Sequence, residues 1–308
     1  MPINASPRYY AAELKYRKAR SIEEKIEALK EMIREAPKHK GAENLLAQLR
    51  KRLAKLQAEL ERKSKKQASR FQEFSVAREA PLVVAIIGKT NSGKSALLNK
   101  LTGTHEKVSE FPFTTSKPVQ GMIEWKGIKI QLVELPALVQ DTIFQEKGPA
   151  LFSVARICDL LMAVLDGTQP LEEQREFILE ELKKANLGNK PILWIINKAD
   201  LTKLSIDKKN ELAVSALTEF NLDKIAPKLW GLSNLMLIYL KKPKAKPEPF
   251  ALEKKSTVRD LIEEVNESWL KKFKYARIWG KSVKFPGQQV GLEHVLAEGD
   301  QVELKLEK

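Results

Sequence analysis

An uncharged apolar run, Leu82–Ile87, stops at a glycine, and the segment that starts there reads Gly88-Lys89-Thr90-Asn91-Ser92-Gly93-Lys94-Ser95. The spacing is G-x-x-x-x-G-K-[ST], set between a strand-like run and an amphipathic segment, Ala96–Leu101. It constrains the fold more than any other feature of the chain. A strand must end, turn tightly on two glycines and enter a helix, with backbone amides converging on phosphate oxygens at the helix N-terminus. Lys94 is then the residue that reaches the β- and γ-phosphates, and the Ser95 hydroxyl is placed to ligate Mg²⁺. Gly88, Thr90, Asn91, Ser92, Gly93 and Ala96 complete the loop's nucleotide-binding set.

Further apolar runs follow at Ile128–Val133, Leu160–Leu165 and Ile192–Ile196, separated by amphipathic segments. Runs this apolar suit strands covered on both faces, and the helical segments between them imply a mostly parallel α/β sheet. Ile128–Val133 departs from that pattern, because Lys129 and Gln131 alternate with its apolar residues. Gly121–Trp125 and Ile128–Val133, joined around Lys126-Gly127, read as one hairpin.

The run at Ile192–Ile196 ends in Asn197-Lys198-Ala199-Asp200. At a strand end downstream of a phosphate loop, that quartet selects guanine. Asp200 accepts from the base N1–H and N2–H₂, and a base lacking those donors leaves a carboxylate unpaired. Asn197 ties the loops together and the Lys198 stem lies across the ring. Val214-Ser215-Ala216 supplies a further element, in which a backbone amide at Ser215 or Ala216 faces the guanine oxygen.

The flanks differ from this centre. Of 54 Lys and Arg against 40 Asp and Glu, giving +14, residues 1–80 hold 20 and 11, residues 81–240 hold 19 and 18, and residues 241–308 hold 15 and 11. The basicity therefore sits at the ends, where a polyanion would meet it. In the first flank Ile22, Ile26, Leu29 and Ile33, then Leu46, Leu49, Leu53, Leu56 and Leu60, recur at helical spacing around Pro37–Gly41. An antiparallel helical hairpin fits, with a capping box at Ser21 and Glu24; an interrupted coiled coil that dimerises is the alternative. A lysine-rich arm, Glu61–Arg70, continues it without aromatic interleaving. In the last flank a proline-rich connector, Lys241–Pro249, precedes strands at Phe250–Leu252, Tyr275–Trp279, Ser282–Phe285 and Gln301–Leu306 and a helix opened by Ser256 or Thr257 with Asp260. That order suggests a small ubiquitin-like β-grasp. Trp269, Phe273, Tyr275 and Trp279 are read as its core.

One cysteine, Cys158, excludes an internal disulfide framework, and three histidines argue against a Cys/His zinc site. No run approaches the length of a membrane span and no apolar signal-type stretch follows the N-terminus, so a cytoplasmic protein without membrane association is expected.

The segments GKTNSGKSALLNKLTG, FPFTTSKP, VELPALV and NKAD, with the C-terminal FKYARIWGKSVKFPGQQVGLEHVLAEGDQVELKLEK, resemble the developmentally regulated GTP-binding protein (DRG) family of Obg-related translation-factor GTPases. The resemblance implies a helical region over 1–80, a P-loop GTPase domain over 81–234 and a TGS domain over 235–308. It implies GTP or GDP as ligand with Mg²⁺, and K⁺ beside the phosphates at Asn91. It identifies Phe113-Thr114-Thr115 as switch I, with Thr115 the Mg²⁺ ligand that senses the γ-phosphate and Thr114 the substitute. It further implies a monomer associated with ribosomes or RNA through its basic hairpin and TGS domain, aided by a protein cofactor.

Switch II departs from the family's Asp-x-Pro-Gly: here it is Glu134-Leu135-Pro136-Ala137. Glu134 is one methylene longer than the aspartate expected to hold a Mg²⁺-bound water. Ala137 still offers an amide to the γ-phosphate, but with less backbone freedom than glycine. Leu138 cannot orient a water, which implies slow hydrolysis aided by a cation or partner. The departures leave two readings open: a weak GTPase switch, and a nucleotide-dependent scaffold that hardly hydrolyses. Between Asp166 and Ile192 the inserted domain of eukaryotic DRG proteins is absent.

Overall fold

The computed structural model of the 308-residue chain describes residues 6–19, 21–37, 42–74, 76–103, 118–202, 204, 206–241 and 246–307, with backbone only over 63–73. It divides into two compact units, Met1–Glu73 and Phe74–Lys308.

The first unit holds three helices: α1 (Pro7–Lys18), α2 (Ile22–Glu35) and α3 (Glu43–Glu73). The expected pair is present as α2 and α3, but α1 precedes them, so the two-helix hairpin is corrected to a three-helix arrangement. Its start is chemically plain: Ser6 caps the Tyr9 amide at 3.2 Å and Pro7 stands at the first helical position. Ser21 accepts from the Glu24 amide at 3.0 Å in the expected capping box. The buried seam runs through Tyr9, Ala12, Leu29, Met32, Ala36 and Leu49, so α1 supplies part of the apolar surface that α2 covers. The basic arm continues α3 to Glu73 rather than leaving it.

The second unit is built on two sheets. The larger contains β1 (Leu82–Ile87), β2 (Val119–Trp125), β3 (Ile128–Glu134), β4 (Leu160–Asp166), β5 (Ile192–Asn197), β6 (Asp207–Lys208) and β7 (Glu211–Ala213), in the order β2-β3-β1-β4-β5-β7-β6. Pairing is parallel from β3 through β7, with antiparallel strands at both edges. α4 (Lys94–Thr102), α5 (Gly148–Ile157), α6 (Leu171–Lys184), α7 (Ala199–Thr202) and α8 (Ile225–Leu232) connect the strands. β1 is buried along its whole length, and β4 beside it and β5 beyond β4 are buried almost throughout. Covering two faces explains why these runs are continuously apolar. Lys126 (φ 49°) and Gly127 (φ 81°) form the two-residue turn of the β2–β3 hairpin. The chain leaves β1 for β3 on one side and returns for β4 on the other. The loop after β1 therefore lies at the topological switch point, where ligands of open α/β sheets bind.

The smaller sheet has the order β11-β10-β12-β8-β9. Its strands are β8 (Leu235–Leu240), β9 (Glu248–Glu253), β10 (Phe273–Trp279), β11 (Gln288–Val290) and β12 (Gln301–Leu306), with α9 (Val258–Asn266) packed on one face. Thr257 caps α9 with Asp260, as expected. Two expectations are corrected. Ser282–Phe285 is a turn, not a strand, because the Asp300 carboxylate gathers the Lys281 amide at 2.9 Å and the Ala297 amide at 2.9 Å. Glu248 and Pro249, placed in the connector, already belong to β9, an edge strand where proline costs no ladder bond. Among the described residues no helix is long and apolar enough to cross a membrane.

Candidate functional site

β1 delivers the glycine loop. A side chain at Gly88 would place its Cβ 2.4 Å from the Val164 carbonyl and 2.9 Å from Ser92 Oγ, so β1 and β4 can approach this closely only at glycine. Gly93 (φ 89°) opens α4, and a Cβ there would lie 2.1 Å from Asn197 Nδ2. Asn91 stands exposed at the crest with φ 61°, and Thr90 and Ala96 are half-buried beside it.

Inside the loop Lys94 is only 6% exposed, its ammonium donating to the Lys89 carbonyl at 3.0 Å and the Gly88 carbonyl at 3.3 Å. Burial pulls its pKa down to about 8, and the Glu134 carboxylate opposes that fall. A phosphate group brings the negative charge that such a buried cation lacks. Ser95 Oγ donates to Glu134 Oε1 at 2.6 Å. The two lie where α4 begins and β3 ends, so a hydroxyl and a carboxylate meet beside the phosphate loop. This is an all-oxygen donor pair, and Mg²⁺ takes oxygen donors together with waters and substrate phosphates. The residues present fit that ion.

Asn197 joins the loops. Its Nδ2 donates to the Ser92 carbonyl at 3.1 Å, and its Oδ1 accepts from the Ala216 amide at 3.1 Å. A single buried side chain thus holds the phosphate loop, the end of β5 and the segment after β7 in one register. The Ala216 amide is already engaged, and the Ser215 amide donates to the Phe220 carbonyl at 3.2 Å. Both amides of this element are therefore engaged within the chain, one by Asn197 and one by the Phe220 carbonyl. Ser215 Oγ instead accepts from the Thr218 amide at 3.0 Å and shapes that turn.

Lys198 (φ 64°) donates to Asp166 Oδ2 at 2.6 Å. Burial pushes the Asp166 carboxyl up, but bonds from Lys198 and Thr168 outweigh it and hold the group below its ordinary pKa. Asp166 was absent from the sequence-derived site. Its signal was available: it is the charged residue that closes the run Leu160–Leu165, as Asn197 closes the next one. Asp200, half-buried in α7, receives no hydrogen bond from any described group.

Leu138 is 2% exposed and packs into the core, and its amide donates to the Gly88 carbonyl at 3.0 Å. Ala137 is half-buried directly before it. Phe113, Thr114 and Thr115 lie outside the described residues.

A sheet that sends a glycine loop off β1, a serine–glutamate pair beside it and an asparagine clasp off β5 is the arrangement of a P-loop GTPase. Residues 83–198 match the family described as 50S ribosome-binding GTPase, and residues 236–306 match the TGS domain. The chain is similar to developmentally-regulated GTP-binding protein 2 of Homo sapiens, at 27% identity over 360 aligned positions, covering 92% of this chain and 99% of that one. It is also similar to ribosome-interacting GTPase 1 of Saccharomyces cerevisiae, at 28% identity, covering 91% and 97%. Both alignments are longer than this chain, so the relatives carry insertions that it lacks. A solved structure of a GTP-binding protein from Sulfolobus solfataricus in complex with GDP has a TM-score of 0.41 at 21% identity, covering 75% of this chain and 68% of that one. The chain thus pairs a domain that matches this GTPase family with a C-terminal TGS domain, and along nearly its whole length it is similar to developmentally regulated GTP-binding proteins.

Proposed function

We propose that the protein is a slow GTP hydrolase that works as a ribosome- or RNA-associated switch. The observation that carries this reading is the Ser95–Glu134 contact beside the glycine loop. Ser95 would hold Mg²⁺ directly and Glu134 would hold one of its waters, the longer side chain acting through that water. Mg²⁺ neutralises charge on the phosphates when bound. Thr115 would add the switch I hydroxyl, and Lys94 would bind the β- and γ-phosphates. Asn91, exposed at the crest of the loop, is where a K⁺ ion would sit beside the phosphates, adding charge that other GTPases take from an arginine. The Ala137 amide would face the γ-phosphate. Asp200 would read guanine, with the Lys198 stem across the ring and its ammonium pinned by Asp166.

Hydrolysis would be slow because Leu138 is packed in the core, so no side chain at that position can orient a water. The same fact favours a second reading, a GTP- or GDP-dependent scaffold. Single-turnover hydrolysis in KCl and in NaCl separates the two, with Lys94→Ala as the control. Phosphate release above that control, faster in KCl, supports the hydrolase; none in either salt with GTP still bound supports the scaffold. Lys94→Ala itself should weaken GTP binding about a hundredfold or more, since it removes charge-assisted bonds to phosphate.

Ribosome association is supported by the family that residues 83–198 match and by the name of the yeast relative. The basic first flank and the TGS domain are the regions with charge to supply it. Co-sedimentation with ribosomes that is lost on raising salt is the expected result; sedimentation alone in GTP, GDP and without nucleotide would refute it.

A further inference from the structure

The smaller sheet has two faces, and the second is divided. One face packs on α9 through Ile238, Leu252, Ala276, Ile278 and Val302. On the other, Leu237 and Ala251 of β8 and β9 are buried with Trp230 and Leu132 against the larger sheet's unit. The rest of that face belongs to β10, β11 and β12. There Tyr275, Arg277 and Trp279 alternate with the buried Ala276 and Ile278. They were expected to be core together with Trp269 and Phe273. Trp269 and Phe273 do pack against it, whereas Tyr275 and Trp279 join no apolar cluster and stay partly accessible.

Cations sit on both rings. The Lys241 ammonium lies 4.0 Å from the Trp279 ring centroid, and the Arg277 guanidinium lies 5.7 Å from that of Tyr275. Trp279 lies against Gly287, where a Cβ would come within 3.3 Å of the indole nitrogen. Glu303, paired with Arg277 across the strands, is engaged by Lys305 at 2.7 Å. The turn after β10 adds Lys281 and Lys284, both exposed, and Phe285, which is 60% exposed. Basic and aromatic side chains therefore interleave on one surface, a combination that the lysine-rich arm at 61–70 lacks.

We propose that this β10–β12 face binds single-stranded RNA. Bases stack on Trp279 and Tyr275, and phosphates meet Arg277 and Lys241. The choice of RNA over DNA rests on the ribosome-associated reading above; the stacking and the charge do not. Tyr275 and Trp279 are four residues apart on one strand, about 13 Å. Stacked neighbours in a duplex rise only about 3.4 Å per nucleotide, so the rings suit splayed bases and not a helix. A base displaces Lys241 from the indole readily: stacking is worth about five- to a hundredfold in affinity, an exposed cation–π contact about two- to fivefold. The released ammonium then finds phosphate.

The test uses the full chain with GDP and a fluorescein-labelled oligouridylate, read by anisotropy across a KCl series. Trp279→Ala and Tyr275→Ala should each weaken binding roughly tenfold, and Trp279→Phe should restore most of the loss. Lys241→Gln with Arg277→Gln should lower affinity and reduce the salt slope by about 1.4, the value for two contacts on a single strand. Nucleotide affinity and thermal midpoint, measured alongside, report whether a variant still folds, and the charge variants leave both rings in place. The proposal fails if the oligonucleotide does not bind, if these variants bind as tightly as the parent, or if only substitutions at 61–70 matter. Equal affinity for oligodeoxythymidylate, or full competition by polyglutamate, overturns RNA as the occupant. A failed hydrolysis or ribosome assay beside these losses would refute the hydrolase or switch reading and leave the RNA face standing.

Discussion

β4 and β10 are seven-residue strands with neighbours on both sides, yet they are used in opposite ways. β4 is buried from Leu160 to Leu165, and the one residue it exposes in part, Asp166, is at its C-terminal end, where it holds Lys198. β10 buries only Ala276 and Ile278 and leaves Tyr275, Arg277 and Trp279 on a partly open face. A strand covered on both faces can offer chemistry only at its end, so the nucleotide site gathers where β1, β3, β4 and β5 stop. A strand covered on one face can offer a surface.

Packing energetics should separate the two strands most widely. Leu161 is fully buried in β4, so Leu161→Ala should cost about 2–5 kcal/mol in urea unfolding. Tyr275→Ala should cost under about 1 kcal/mol on the same reading, since its ring joins no apolar cluster. Equal losses would break the comparison.

The end of the larger sheet should also respond to pH where the face of the smaller does not. Lys94 has its pKa drawn down to about 8 in the folded protein from 10.5 in the open chain. The folded state thus disfavours the ammonium, and its burial destabilises the protein in full below pH 8. As pH rises from 8 to 10.5 the unfolded chain holds the extra proton, so stability increases, by roughly 3 kcal/mol at most. The difference between the parent and Lys94→Met across that window isolates the effect. With GDP present the slope should flatten, because phosphate stabilises the charged form. A parent that tracks Lys94→Met at every pH would deny the buried charge.

Asn197→Ala should come next. It leaves the buried Ser92 carbonyl and Ala216 amide without partners, costing about 2 kcal/mol in stability and loosening guanine-nucleotide binding with it. Binding that weakens while stability holds would mean that Asn197 contacts nucleotide and does not clasp the loops.

How far the sequence could be read follows the same division. The glycine loop and the Asn197 quartet were legible because fixed spacings at strand ends encode them, Glu134 only through the family resemblance, and continuous apolar runs marked β1, β4 and β5 almost to the residue. Faces were not legible, since the side a residue occupies depends on pairing partners distant in sequence. Tyr275 and Trp279 alternate like core, and only the packing of α9 on Ala276 and Ile278 shows that they point the other way. α1 was missed because its buried residues, Tyr9 and Ala12, are few among polar neighbours, although Ser6-Pro7 carried a start signal. Ser282–Phe285 alternated like a strand, but Asp300, nearly twenty residues on, bends it into a turn. The bond from the Ala216 amide to Asn197 is likewise a pairing that no local pattern encodes.

The smallest effect concerns the segment after β3, which belongs to the end of the larger sheet yet resembles neither region fully. Ala137 is held between Pro136 and a core-packed Leu138 whose amide donates to the Gly88 carbonyl at 3.0 Å. Turning the Ala137 amide toward a γ-phosphate requires backbone rotation beside that anchor. A Cβ narrows the allowed rotation, and glycine removes the restriction at a cost in folding entropy of about 0.5–1 kcal/mol. Ala137→Gly should therefore raise single-turnover hydrolysis a few-fold while lowering the thermal midpoint slightly, with GDP affinity unchanged. If the rate does not move, the Leu138–Gly88 bond is the restraint, and the segment behaves as a fixed part of the sheet's end. A raised rate places the restraint in one methyl group, and makes this segment a part of the nucleotide edge that moves.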